Sequence, residues 1–347
     1  MKLFIFGSTG DLIKRKVVPA FSLMDMPDLE IIALGRKDLT HEDYHDFVCE
    51  SGMCFDHLKE KPKYSKVNFE DEIKCEKCLE HLDKIDINFF YSAMPPKSTE
   101  IILKYIGELK HQGLKVKVLI EKPFGYNLEN AKLLKKVAEE ENLFGDIFIS
   151  DHYLFKKEVG EIVKRDFKKL KIVSLESVGL EKRIGYYDEI GALKDMIQSH
   201  FFNIAFKLVD NPEEEFKDFE IVSLNMGQYG NGNNDGYVKE LGKKSDTETF
   251  VNLKIKTKTK EFEFITGKKF DKKVGFIQID DKKIEFGEDN HSYKNLFLDF
   301  FAGKKEVFTT IDDSILAWEI IKKVEENKPN LEYYKENSKV EDVLISK

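Results

Sequence analysis

The chain has 347 residues, enough for two domains with large cores; 41% are hydrophobic, 35% are charged and the formal net charge is −8. That acidic balance, with no basic block interleaved with aromatics, excludes a nucleic-acid binder. No apolar run approaches the ~20 residues needed to cross a bilayer. The N-terminus enters a strand with no signal pattern, so a cytoplasmic protein without a membrane partner is expected.

Met1 to Phe6 reads as a short apolar strand. Gly7-Ser8-Thr9-Gly10-Asp11-Leu12 then makes a tight turn into a helix that runs to about Met24. Strand, glycine turn and helix together point free backbone N–H groups at a phosphate. The spacing is GxxG, which a plain βα turn also satisfies. Glu30 to Leu34 forms the second strand and ends in Gly35-Arg36-Lys37. An NAD-binding chain usually carries an acid here for the ribose 2′-hydroxyl. Arg36 instead suits a 2′-phosphate, so NADP is expected with NAD as the alternative; a solvated basic loop is the competing explanation. Arginine is scarce, with only Arg15, Arg36, Arg165 and Arg183.

Helical segments are expected over about 41–58 and 70–84. Cys75 and Cys78 form a CxxC, which invites a zinc reading. They sit, however, in a helical stretch, Glu70 to Lys84, beside Ile73, Leu79 and Leu82, and His41 and His45 fall one turn apart on an exposed helix. The cysteines, Cys49 and Cys54 included, therefore read as reduced packing residues, and no metal is expected. Strand 87–92 ends at Met94-Pro95-Pro96. Helix 97–110, strand 115–120, Glu121-Lys122-Pro123-Phe124-Gly125, helix 128–140 and strand 147–149 follow. This alternation predicts a Rossmann-type, doubly wound parallel sheet over residues 1–150. The Gly7 turn, Arg36, Pro95, Lys122 and Asp151 all fall at strand carboxyl ends, the edge where such sheets bind ligands.

Residues 151–347 read as an α+β domain with a large, mostly antiparallel sheet flanked by helices. Strand 172–178 carries Glu176, and a long helix over about 189–208 carries Asp195 and His200. Strands follow near 219–226, 249–256, 261–266, 275–279 and 282–286, several joined by short turns. Helices over about 293–301 and 312–326 close the chain. Residues 230–234 are the best candidate for a mobile loop. His200 shares its helix with Leu193, Met196, Ile197, Phe201 and Ile204, a setting more usual for a core histidine unless an acid faces it. Asp151 and His152, in Ser150-Asp151-His152-Tyr153-Leu154-Phe155-Lys156-Lys157, are the candidate partners.

At these motifs the chain resembles the glucose-6-phosphate dehydrogenase family. The resemblance rests on Gly7 through Lys16 with Pro19-Ala20, on Pro95-Pro96, on Glu121 through Gly125, and on Asp151-His152-Tyr153-Leu154 with Lys156. It continues through Gly179 to Arg183, Tyr186 to His200, Gly227 to Gly230, Thr247 to Phe250, Thr266-Gly267-Lys268 and Tyr333 to Ser338. It implies oxidation of C1 of glucose 6-phosphate to 6-phosphogluconolactone, the first step of the oxidative pentose phosphate pathway. His200 would be the general base and Asp151 would orient it. His152, Tyr153 and Lys156 would hold the phosphate, and Glu176 and Asp195 the sugar hydroxyls. Lys268 and Lys273 keep the spacing of a second pair of substrate cations, and Lys16 and Lys122 match positions between cofactor and substrate. Gly7, Ser8, Thr9, Gly10, Asp11, Leu12, Lys16, Arg36, Pro95 and Lys122 would contact the cofactor. Some features depart from the family. The chain is shorter than typical members, Phe155 replaces a glycine and Lys157 a glutamate, and Ser199 replaces the asparagine beside His200. A related dehydrogenase for another sugar or sugar phosphate, or a catalytically silent nucleotide-binding homologue, are the alternatives. The second domain is where a homo-oligomer contact is expected.

Overall fold

The structure, a computed structural model, describes every residue except 51, 70–72, 74, 163–165, 181–182, 234, 289–290 and 345–347. Arg165, part of the 179–183 motif and the end of the 230–234 loop therefore lie outside the described residues. The chain forms two compact units, residues 1–155 with 290–315, and residues 156–289 with 316–347.

The first unit holds β1 (Lys2–Phe6), a π-helical turn (Ile13–Val17) running into α1 (Val18–Ser22), β2 (Glu30–Gly35), α2 (His41–Cys49), β3 (Lys63–Lys66) and α3 (Glu76–Leu79). β4 (Asn88–Ser92), α4 (Thr99–His111), β5 (Val116–Glu121), α5 (Leu128–Glu140) and β6 (Ile147–Ser150) complete the alternation. Its six strands run parallel in the order β3-β2-β1-β4-β5-β6, the order of a doubly wound dinucleotide-binding sheet. β4 is buried along its whole length, as expected of a strand covered on both faces. Phe90 stacks on Phe4 at 5.0 Å and on Phe6 at 6.1 Å between ring centroids. A late helix, α11 (Ser292–Ala302), also belongs to this unit. Its Phe297 meets Tyr91 at 5.0 Å, and its Phe300 meets Phe89 at 5.3 Å and Phe148 at 5.1 Å.

The second unit holds α6 (Lys157–Gly160), β7 (Lys169–Leu175), α7 (Ile184–Ala192), a π-helical segment (Leu193–Phe201), α8 (Phe202–Leu208) and α9 (Pro212–Phe216). β8 (Glu220–Tyr229), α10 (Gly236–Leu241), β9 (Phe250–Lys256), β10 (Glu261–Gly267), β11 (Val274–Ile279) and β12 (Lys282–Glu285) follow. β13 (Glu332–Tyr334) and α13 (Val340–Leu344) come after α12 (Ile311–Glu325). The seven strands are ordered β12-β11-β7-β10-β9-β8-β13. Most pairs are antiparallel, but β7 with β10 and β8 with β13 are parallel. Among the described residues no helix is long and apolar enough to cross a membrane.

Two local expectations fail. α2 stops at Cys49 instead of running to about residue 58, and within the described part of 70–84 only α3 is helical. The cysteines are not reduced packing residues: Cys49 is bonded to Cys54 and Cys75 to Cys78, with Cα separations of 4.9 and 5.2 Å. The first pairing follows from the early end of α2. The N–H of Gly52 bonds the carbonyl of Cys49 at 2.9 Å, and Gly52 takes φ +81°, which returns the chain toward the helix.

Truncating Phe90 removes the ring that joins Phe4 and Phe6 in the middle of the first sheet. Phe90→Ala is expected to cost about 3–5 kcal/mol, read as a lowered urea midpoint with an unchanged slope.

Candidate functional site

In the first unit, the register that pairs Phe6 with both Leu34 and Ser92 brings three strand ends side by side. The Gly7 turn follows β1, Arg36 follows β2 and Pro95 lies just beyond β4. Gly7 has φ +76°, and a Cβ there would lie 2.9 Å from Met94 Sδ and 3.2 Å from the Ala93 carbonyl oxygen. Only glycine fits that turn. Ser8 N donates to the Leu34 carbonyl and Gly10 N to that of Gly7, each at 3.0 Å. The Ser8 hydroxyl is fully buried and has no hydrogen-bond partner. A buried unpaired hydroxyl beside glycine backbone fits an anionic dinucleotide. Thr9 lies against Gly35, Asp11 pairs with Arg15 at 2.6 Å on the surface, Leu12 is half-buried, and Lys16 and Arg36 are exposed.

Further along the same edge, Glu121 ends β5 and is followed by Lys122, whose peptide to Pro123 is cis. The Glu121 carboxylate accepts from Tyr91 Oη at 2.7 Å and Ser150 Oγ at 3.2 Å. Burial pushes its pKa up to about 7 despite those two bonds and the nearby Lys122, and the negative charge of Asp151 pushes the same way. Asp151 is fully buried and accepts from Tyr153 N at 3.0 Å. A turn bonds Leu154 N to the Asp151 carbonyl and Phe155 N to that of His152, at 3.0 and 3.2 Å. The His152 ring stacks on Tyr293 at 5.5 Å and meets Tyr153 edge-on at 5.1 Å. Phe155 is only 6% exposed and packs on Phe308 at 4.9 Å, so its bulk is taken up by the apolar core.

In the second unit, Lys156 Nζ lies 5.5 Å from the Phe286 ring centroid. Parallel pairing sets Gly267 opposite Leu175, so the next residues, Lys268 and Glu176, leave the sheet together. Their side chains form an ion pair at 2.6 Å, with the lysine buried and the carboxylate partly open. Lys273 is exposed in the connection from β10 to β11. His200 is 2% exposed and lies on the π-helical segment, where a single α-helix is expected from sequence. Such wide turns occur often at functional sites. Asp195 is half-buried on the same segment, and its carbonyl accepts from Ser199 Oγ at 2.6 Å.

Glu248 is the residue that sequence reasoning passes over. The chain kinks at Gly191, where φ is +73° and any Cβ would run into the Glu248 carboxylate. That carboxylate accepts from Leu193 N at 3.1 Å, and the Glu248 backbone carbonyl accepts from Ala192 N at 3.0 Å. It therefore caps the start of the His200 segment, where a negative charge is favourable. Its signal lay within Thr247 to Phe250. Asp188, earlier in α7, is also held: Tyr237 Oη, Lys243 Nζ and Ser245 Oγ reach it at 3.0, 2.9 and 2.5 Å. Burial works to raise its pKa, but these partners outweigh it and leave the carboxyl below its usual range.

The raised Glu121 pKa gives a pH signature. The folded state holds this proton more tightly than the unfolded chain, so the contribution to stability is full below the ordinary glutamate pKa of 4.5 and is lost as pH rises through about 7. Glu121→Gln is expected to flatten the stability profile between pH 4.5 and about 7; urea midpoints across that window measure it. A slope identical to that of the parent chain would contradict the assignment.

Comparison with known proteins matches residues 4–161 to the model of the glucose-6-phosphate dehydrogenase NAD-binding domain and residues 162–223 to that of its C-terminal domain. Glucose-6-phosphate 1-dehydrogenase of Buchnera aphidicola subsp. Schizaphis graminum is 29% identical, over 86% of this chain and 72% of that protein. A solved glucose-6-phosphate dehydrogenase in complex with its substrate glucose 6-phosphate has a TM-score of 0.82 at 20% identity, covering 99% of this chain and 96% of the other. A myo-inositol dehydrogenase from Corynebacterium glutamicum shares the fold with a TM-score of 0.64 at 13% identity, covering 94% and 96%. With the two domain models matched in order over residues 4–223, the chain belongs to the glucose-6-phosphate dehydrogenase family, oxidoreductases built on a nicotinamide-nucleotide-binding domain.

Proposed function

We propose that this chain is a glucose-6-phosphate 1-dehydrogenase that uses NADP, the entry to the oxidative pentose phosphate pathway. The observation that supports this most is the Glu176–Lys268 pair, a buried ammonium beside a partly open carboxylate where the family's sugar contacts are expected. When bound, the nicotinamide supplies an acceptor for the hydride that leaves C1 of the sugar. The protein then has to hold the two reactants, exclude water and accept one proton.

His200 takes that proton from the C1 hydroxyl, and Asp151 is the carboxylate assigned to the imidazolium it forms. His152, Tyr153 and Lys156 bind the phosphate by charge-assisted hydrogen bonds. Lys268 and Lys273 add positive charge for the substrate, and Glu176 and Asp195 hold its hydroxyls. Lys122 and Lys16 lie between substrate and cofactor. Gly7, Ser8, Thr9, Gly10, Asp11, Leu12 and Pro95 line the dinucleotide, and Arg36 reads its 2′-phosphate. Residues 1–150 are the cofactor domain in this reading, and residues 151–347 bind the substrate and carry any contact between copies. A cytoplasmic location goes with it.

A panel of free sugars and sugar phosphates, each with NADP and NAD, tests the proposal. Reduced cofactor is expected with glucose 6-phosphate, and His200→Asn is expected to lower kcat by about 10²–10⁴-fold with little change in KM. Turnover of a different sugar instead would reassign the substrate. NADPH binding with no turnover of any sugar phosphate would leave a silent homologue. Loss of one charge-assisted contact predicts that Arg36→Ala raises KM for NADP about 10–100-fold and leaves NAD nearly unchanged. Equal effects on both coenzymes would remove Arg36 from that role.

A further inference from the structure

His45, Cys49 and Cys54 form a cluster apart from every residue assigned above. Their ligand atoms lie within 4.8 Å of one another in the first unit. His45 and Cys49 lie four positions apart on α2, which puts them on one helix face. Cys54 reaches the same face because α2 ends at Cys49 and the chain turns at Gly52. Its Sγ lies 3.2 Å from His45 Nε2. The other ring nitrogen, Nδ1, faces Asp46 Oδ1 at 3.6 Å. His45 is not the exposed helix residue that the sequence leads one to expect, since its side chain is only 15% exposed.

The ring nitrogen that faces sulfur, Nε2, is the one placed to ligate an ion shared with the cysteines, while Asp46 lies beyond hydrogen-bond range of the other. Two thiolates and an imidazole are soft and borderline ligands and suit zinc. We propose that the Cys49–Cys54 pair, in its dithiol state, binds one zinc ion together with His45. Three protein ligands leave the fourth tetrahedral position for water. The site is redox-gated. In the disulfide both sulfurs are bonded to each other and neither is a thiolate ligand. A thiol or phosphine reductant adds two electrons and two protons to give two thiols. Binding the ion then releases those two protons, because thiolates are the ligands. Once the S–S bond is broken, rotation about the Cα–Cβ bonds lets the sulfurs separate to the ~3.8 Å that two ~2.3 Å zinc–sulfur bonds require in a tetrahedron.

Cys75 and Cys78 would also become thiols on reduction, so the test separates the two pairs. Full-length protein carrying Cys75→Ser and Cys78→Ser is reduced with a phosphine under anaerobic conditions and titrated with cobalt(II) as the spectroscopic probe. One equivalent is expected, with sulfur-to-cobalt charge transfer and tetrahedral d–d bands, and zinc should displace it. The same protein left oxidised should show neither band. Adding His45→Ala should weaken cobalt binding by about 100-fold or more, with far-UV circular dichroism unchanged. Absence of the charge-transfer band in the reduced double variant overturns the proposal. So does full-affinity binding after His45→Ala in a chain whose circular dichroism is unchanged.

Discussion

Parallel pairing is the constraint on which the site depends. When two strands run in the same direction, whatever follows each of them emerges at the same edge of the sheet. In the first unit this collects the Gly7 turn, Arg36, Pro95, Lys122 and Asp151 from well-separated parts of the chain onto one edge. In the second unit the sheet is mostly antiparallel, yet the β7–β10 pair obeys the same rule and sets Glu176 against Lys268. A lysine buried to that degree needs a partner, because an unpaired ammonium out of water is strongly disfavoured. The carboxylate meets that need and remains partly exposed.

Charge placement around the histidine segment follows a related logic. Gln198, Ser199 and His200 are consecutive and all buried on the π-helical stretch. The kink at Gly191 separates that segment from α7 and would leave its first N–H groups without partners. Glu248 accepts one of them through its carboxylate and another through its backbone, and Lys328 lies 3.4 Å from the same carboxylate. The histidine thus stands on a locally unusual helix whose start is fixed by a residue distant in sequence.

Five strands of the first sheet were legible because they are short apolar runs bounded by glycine or proline, and α4 and α5 between them carry clear apolar faces. The edge strands β3 and β13 were not, since Lys-Tyr-Ser-Lys and Glu-Tyr-Tyr have no apolar run to mark them. The motif residues of the candidate site were readable from local spacing. The π-helical geometry around His200 was not, because its sequence keeps the apolar positions of an ordinary helix. The cap from Glu248 depends on a contact between residues 55 apart, which no local pattern encodes. Cys54 was misplaced for a similar reason: the charge pattern of α2 continues past Cys49, and only the turn at Gly52 shows that the helix does not.

α11 has a consequence for how this protein can be divided. Phe297 and Phe300 pack against Tyr91, Phe89 and Phe148, although residues 156–289 of the second unit intervene in sequence. A polypeptide ending after Phe155 would carry every strand of the parallel sheet and still lack the helix that shields those rings. Its aromatic face would meet water, and such a fragment would be prone to self-association. The nucleotide-binding half is therefore completed only after the chain has traversed most of the other half, which ties the synthesis of one unit to that of its neighbour.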